Sequence, residues 1–352
     1  TFNYNLISVE DNNSCTQPQA GSAAIEVEQH HSLALSSAAG TDNQTICINN
    51  ASNIIIYSVG GGANNATISS GSLPSGVNAN YSGGTFTISG TPTQAGIFNY
   101  TITTSGNSCN VATASGTIEV LEDLTASVVS SAQTICYNTS PSVLSATLAT
   151  GGKGPIIYQW QSSPNGSSSW TNIAGQTSPN YSPPALTSTR YYRIVATDNG
   201  SPSCGSVTSN TIAINVASLL ESTINIPAIA CKDGSTSIQI TATGGTTPYS
   251  YSFNGSTNST GSFTAYAGTA YSYFVTDANG CTYNSAAFDI TEPNQLTATA
   301  TPTHVDCNGG TNGSIDLVVS GGTTNYSYLW DNGAGTSEDP SNLAAGNYTV
   351  TV

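Results

Sequence analysis

The sequence predicts an all-β protein built of tandem β-sandwich modules. Short runs of Val, Ile, Tyr and Ala alternate with polar residues, as in Phe98, Tyr100 and Ile102 or Ile212, Ile214 and Val216. That is the two-residue period of a half-buried strand. Turn formers are abundant, with 35 Gly and 15 Pro in 352 residues, and they interrupt the runs roughly every 8–12 positions, as in a sandwich. No stretch sustains a helical period.

Internal repeats set the module order. Phe2-Asn3-Tyr4 recurs as Phe98-Asn99-Tyr100. Each leads through a cysteine, Cys15 or Cys109, to Ile25-Glu26-Val27 or Ile118-Glu119-Val120. Residues 1–30 therefore read as the C-terminal strands of a truncated module, and 31–122 as the first module with both ends present. A second module, 123–217, holds Ile156-Ile157-Tyr158-Gln159-Trp160, Tyr191 to Val195 and Thr211 to Val216. A different repeat follows. Cys231, Gly244-Gly245-Thr246-Thr247, Tyr249, Tyr251 and Phe253 recur in the same order and at a nearly constant offset as Cys307, Gly321-Gly322-Thr323-Thr324, Tyr326, Tyr328 and Trp330. This gives a third module, 218–293, and a fourth, 294–352. The third continues as Thr276-Asp277-Ala278-Asn279-Gly280-Cys281, and the fourth stops before the matching cysteine. With no Met and no leader pattern at Thr1, the chain reads as a processed or excised section of a longer protein. Short junctions at Val120 to Leu124 and Thr291 to Asn294 favour an elongated, semi-rigid array.

Composition removes several classes of function. Four Lys and Arg stand against 19 Asp and Glu, for a formal charge of −15. Four cations cannot neutralise a phosphate backbone or an anionic membrane surface, so no nucleic acid is expected as a partner. Apolar runs such as Ile54-Ile55-Ile56-Tyr57 are strand-sized against the ~20 residues of a membrane helix, so no membrane insertion is expected. Only 7% of residues are charged but 37% are hydrophobic. That argues for folded modules over disorder, which pairs low hydrophobicity with high net charge. Solubility then rests on hydroxyls and amides.

Eight cysteines fall two to each complete module, with one in each truncated one. The expected bridges are Cys47–Cys109, Cys136–Cys204 and Cys231–Cys281, each bracketing one module, with Cys15 and Cys307 left unpaired by truncation. Bridges closing loops of that size would each contribute about 4 kcal/mol in the chain-entropy treatment, and they imply an oxidising compartment. Zinc does not fit, since no Cys-x-x-Cys occurs and His30, His31 and His304 are not spaced with the cysteines.

Catalytic constellations are nearly absent. His30-His31 read as exposed linker residues. His304 has Asp306 nearby but no Gly-x-Ser-x-Gly elbow. The acids are scattered over turns and junctions, not paired across a cleft. No cofactor is expected; calcium at Glu122, Asp123, Glu292 or Asp306 is the alternative, because carboxylates at a hinge can stiffen it. Trp160 and Trp330 continue alternating strands and read as core. Trp170, after a Ser/Gly-rich turn, is the one candidate for ligand binding.

The segment from Cys307 through Gly321-Gly322-Thr323 and Tyr326 to Trp330, ending in Ala345-Gly346-Asn347-Tyr348-Thr349-Val350, resembles a SprB-type repeat, named for a gliding-motility adhesin of Bacteroidota. The copy at Cys231 is similar and has that repeat's Thr-Asp-Ala-Asn-Gly-Cys ending. Leu73-Pro74-Ser75-Gly76-Val77 with Thr85 to Pro92 resembles the Ig modules of such surface proteins, and 123–217 is similar to bacterial Ig-like domains. The resemblance implies tandem Ig-like sandwiches in a secreted, non-enzymatic surface adhesin or stalk. It also implies type IX export and attachment at the outer membrane. Partners would be neighbouring modules, surface polysaccharide or the motility and secretion machinery. A filament or sheath subunit, and a carbohydrate-binding region of a secreted polysaccharide-degrading enzyme, are the other readings the sequence allows.

Overall fold

A computed structural model describes residues 1–352. Every regular element is a β-strand, as alternation without helical period requires. By packing, the chain forms two units. One comprises Thr1–Ser131, Val143–Ser182 and Tyr191–Ala213; the other comprises Ala132–Ser142, Pro183–Arg190 and Ile214–Val352.

In the first unit, Phe2–Glu10 and Thr16–Ile25 pair as an antiparallel hairpin, just as their repeats Gly96–Gly106 and Thr113–Leu121 do. The first module is a sandwich of two four-stranded sheets. One orders Asn43–Cys47, Thr113–Leu121, Gly96–Gly106 and Ala63–Gly71; the other orders Ser32–Leu35, Ile55–Gly60, Thr85–Gly90 and Val77–Ser82. Alternate residues of each strand meet between the sheets. Ile55, Tyr57, Phe86, Ile88, Tyr100, Ile102 and Ile118 form that core.

Farther along the same unit, Ile156–Ser163 lies antiparallel between Thr171–Asn172 and Arg190–Asp198. Ser206–Thr208 pairs with the latter strand. Trp160 is fully buried. Its ring packs 5.7 Å from Tyr181, which lies 5.8 Å from Tyr192, and its indole N–H donates to the Ser178 carbonyl. The core reading of Trp160 follows from its place on the inward face of this strand.

In the second unit, Gln133–Ile135 pairs in parallel with Ile214–Val216. The third module has the sheets Glu221–Asn225, Ser235–Thr243, Ser262–Tyr266 and Ser256–Asn258, Ser250–Phe253, Tyr273–Thr276, Thr282–Asn284. Gly268–Tyr271 pairs with Phe288–Ile290 beside them. Ile238, Ile240, Phe253, Tyr273 and Val275 are buried between the sheets. The fourth module repeats this plan. Thr297–Thr303, Gly313–Ser320 and Ser341–Leu343 form one sheet, Leu329–Trp330 pairs with Val350–Thr351, and Ile315, Leu317, Trp330 and Leu343 are the core. Tyr249 Oη donates to the Gly244 carbonyl, and Tyr326 Oη to that of Gly321, so the two copies share the same tyrosine-to-turn bond.

Ile194, fully buried, stands opposite Trp160 in the ladder. Ile194→Ala should lower the stability of this sandwich by about 2–5 kcal/mol. Urea unfolding followed by tryptophan fluorescence reads the change; a loss below about 1 kcal/mol would contradict the packing described.

Candidate functional site at the module junctions

The cysteines pair between modules, not within them. Cys47 bonds Cys204, and Cys136 bonds Cys281, with Cα–Cα distances of 5.6 and 5.5 Å. This corrects the expected pairs Cys47–Cys109, Cys136–Cys204 and Cys231–Cys281. In the first and third modules strand length is the physical reason. Cys47 stands opposite Leu121, at the end of Thr113–Leu121, while Cys109 lies in the loop before Thr113. A strand of 9 residues separates the two levels, about 25–30 Å at strand rise, and a disulfide tolerates no more than about 7 Å between Cα atoms. The third module repeats the arrangement. Cys231 precedes the equally long strand Ser235–Thr243. Asp277, in the Cys281 loop, accepts the N–H of Thr246 just beyond that strand's far end. Cys15 and Cys307 carry no bridge, and neither do Cys109 and Cys231.

The eight cysteines fall into two local settings. Cys47, Cys136, Cys231 and Cys307 each open a turn, their carbonyls accepting the N–H of Asn50, Thr139, Gly234 and Gly310. The third residue of each turn has positive φ: Asn49, Asn138, Asp233 and Gly309. Asn, Asp and Gly are the residues that tolerate this conformation. Cys15, Cys109, Cys204 and Cys281 instead sit in loops where an Asp or Asn side chain accepts the cysteine N–H, from Asp11, Asn107, Asp198 and Asp277 respectively. Each disulfide joins a turn cysteine of one module to a loop cysteine of the next. The signature Cys-x-Asn/Asp/Gly was in the sequence, and it distinguishes the two settings where spacing alone does not.

A pair of glycines completes each junction. Gly61, Gly151, Gly244 and Gly321 all have positive φ, and a Cβ on any of them would overlap a carbonyl oxygen of the incoming linker: His30, Asp123, Leu219 and Gln295 in turn. The second glycine donates its N–H to a linker carbonyl in three junctions: Gly152 to Glu122, Gly245 to Ser218 and Gly322 to Asn294. Gly62, Gly152 and Gly245 also lie directly against Asn107, Asp198 and Asp277, the side chains that hold the loop cysteines. The double glycine thus lets linker, loop and cysteine converge.

Charge is sparse, and two of the four cations stand here. Lys153 Nζ lies 3.0 Å from Glu119 and 3.0 Å from the Thr45 hydroxyl, reaching from the second module to the first. Both side chains are well exposed, so the pair contributes at most about 1 kcal/mol. The Thr45 hydroxyl, then Lys153, holds the Glu119 carboxyl below its usual range. Lys232 bonds Glu292 and Asp233, which raises its pKa through Glu292 first. Asp198 is buried and accepts N–H groups from Cys204, Gly154, Gly200 and Lys153. These donors, Cys204 foremost, bring its carboxyl down to about 2.

Other residues singled out from sequence take different roles. His31 is buried, its ring nitrogens bonded to Thr104 Oγ1 at 2.9 Å and Asn107 Oδ1 at 3.1 Å; only His30 is exposed as expected. The His31 N–H also donates to the Asn110 carbonyl, which makes this linker histidine part of the junction. The Glu122 carbonyl accepts the Gly152 N–H, the Asp123 carbonyl lies close against Gly151, and both side chains face solvent. Glu292 is engaged by Lys232 and the Asp233 N–H, and Asp306 by Asn312. No group of three or more His, Cys, Asp or Glu is placed to hold a metal. Trp170 carries the Arg193 guanidinium 4.1 Å above its ring, so one face is a cation–π contact.

Three family models match parts of the chain. The family described as Putative Ig domain matches residues 29–121, SprB repeat matches 225–258 and 299–335, and a domain of unknown function (DUF8696) matches 125–218. The chain is an SprB-type and Ig-like repeat protein. No curated protein matches it. Similar solved structures include the I-band fragment from titin, at 11% identity and TM-score 0.46 over 76% of this chain and 99% of that one. The Protocadherin GammaB4 extracellular domain is 14% identical, with TM-score 0.37 over 82% of this chain and 56% of that one.

Non-reducing peptide mapping after alkylation should find Cys47 linked to Cys204, Cys136 linked to Cys281 and four alkylated thiols. A Cys47–Cys109 peptide would overturn the junction geometry. Asp198 supplies a pH signature. A carboxyl depressed in the folded state stabilises it above the unfolded pKa and loses that effect as pH falls toward the folded value. Urea midpoints of the wild type should therefore drop between pH 4 and pH 2, and Asp198→Asn should flatten that slope; equal slopes would exclude the role.

Proposed function

We infer that this chain is a section of a secreted, non-enzymatic cell-surface adhesin or stalk of the gliding and adhesion type, which bears load and spaces a binding tip from the cell. The observation that supports this reading most is the pair of disulfides joining successive modules. A bridge within a module limits how far that module unravels. A bridge between modules also limits how far neighbours separate, which matters to a chain that works in tension. The SprB-type repeats and the cysteines suited to an oxidising compartment support the same reading. No helix is long and apolar enough to cross a membrane. Neighbouring modules of one longer chain are the first partners; outer-membrane machinery and surface polysaccharide are further ones.

Pulling single molecules from both ends tests the mechanical role. With both bridges intact, the shortest covalent route from Cys47 to Cys281 crosses one bridge, runs back along the segment between Cys204 and Cys136, and crosses the other. In the reduced chain the route follows the whole backbone between the two residues. Reductant should therefore lengthen the fully extended molecule by about 600 Å, at roughly 3.5 Å for each residue released. Equal lengths with and without reductant would sink the load-limiting role.

A further inference from the structure

Cys231 is a turn cysteine like Cys47 and Cys136, both of which bond the loop cysteine of the module that follows. Its own turn has the same form, with the Gly234 N–H bonded to the Cys231 carbonyl and Asp233 at positive φ. Yet it carries no bridge and is exposed. The junction around it is already assembled. Gly321 presses on the Gln295 carbonyl, and Gly322 donates to Asn294. The Thr323 hydroxyl donates to the carbonyl of Ala230, the residue before Cys231, at 3.1 Å. In the third module the equivalent Thr246 is bonded to Asp277 and Asn279 of the loop that carries Cys281. The Thr323 turn therefore brings to Cys231 the place where a loop cysteine belongs.

A second feature, in the fourth module's core, agrees. An open cleft of about 600 Å³ is lined by Pro302, Ile315, Trp330, Leu343 and Tyr348. In the third module, Phe253 and Tyr271 stand where the fourth has Trp330 and Tyr348. There they are covered by Phe288, with ring centroids 6.4 and 6.3 Å away, from the strand Phe288–Ile290 that pairs with Gly268–Tyr271.

We propose that the fourth module takes up a segment equivalent to residues 276–293, which lays a strand over the Trp330–Tyr348 cleft and forms a disulfide from its loop cysteine to Cys231. The pairing of a turn cysteine with the next module's loop cysteine then continues along the chain. By the same rule Cys307 points to the module after the fourth, and Cys15 and Cys109 to modules before their own. Cys109 Sγ already lies 3.5 Å from the carbonyl of Glu28, in the preceding linker. In bond formation two thiols lose two protons and two electrons to a disulfide oxidant, which is reduced to two thiols.

The test appends a copy of residues 276–293 after Val352 and refolds the 1–352 chain and the extended chain with oxidised glutathione as oxidant. The extended chain should titrate three free thiols where the 1–352 chain titrates four, with Cys231 linked to the added cysteine by peptide mapping. Cys231→Ser in the extended chain should restore four thiols, one of them the added cysteine, while hydrogen exchange around Trp330 stays slowed by the added strand. Five free thiols, or a bond from the added cysteine to Cys307, would overturn the proposal. Should the extension impair refolding, the same segment supplied as a peptide to the folded 1–352 chain decides the question: a mixed disulfide on Cys231 supports the proposal, and none, or one on Cys307, refutes it.

Discussion

A disulfide reaches about 5.5 Å between Cα atoms, and a nine-residue strand is roughly five times longer. That mismatch governs the covalent plan of this protein. In the first and third modules the two cysteines sit at opposite ends of such a strand, so neither can close on its own partner. The two that are bridged reach outward to the second module, Cys47 to Cys204 and Cys281 to Cys136. The surrounding features follow from this. The Gly-Gly turns let the linker carbonyls in, and the Asp and Asn side chains clamp the loops so that a sulfur is presented at the seam.

The junctions also explain how so few charges suffice. Lys153 and Lys232 are half of the cations in the chain, and both are tied to acids at junctions. Elsewhere strands and loops are held by hydroxyls and amides, as in the bond between Ser69 and Thr103 and the Asn165 side chain that caps its own turn. Neutral hydrogen bonds of this kind are little affected by salt, whereas exposed ion pairs are screened. Asp198 and Asp277, both buried, are satisfied by backbone N–H groups and need no counter-ion.

The fold was legible because it depends on local periodicity. Ile212 and Ile214, or Tyr100 and Ile102, alternate inward whatever the neighbouring module does, and the repeats at Tyr249 and Tyr326 reproduce one hydrogen bond. The cysteine pairing was not legible from spacing, because spacing along the chain carries no information about which end of a sandwich a residue occupies. Local chemistry carried that information: Asn49, Asn138, Asp233 and Gly309 mark one end, and Asp11, Asn107, Asp198 and Asp277 mark the other. The glycine pairs at Gly61 and Gly151 lack the Thr-Thr that follows the other two, so they do not stand out as repeats. The burial of His31 depends on Thr104 and Asn107, far along the chain, which no local pattern records.

The two bridges interlace, since Cys136 lies inside the loop closed by Cys47 and Cys204, and Cys204 lies inside the loop closed by Cys136 and Cys281. A protease that cuts any one peptide bond between Cys47 and Cys281 therefore leaves both pieces covalently joined. A cut before Cys136 is spanned by the first bridge, one after Cys204 by the second, and one between them by both. For a chain exposed to extracellular proteases, a nick anywhere in this stretch does not part the molecule, and separation requires a second lesion.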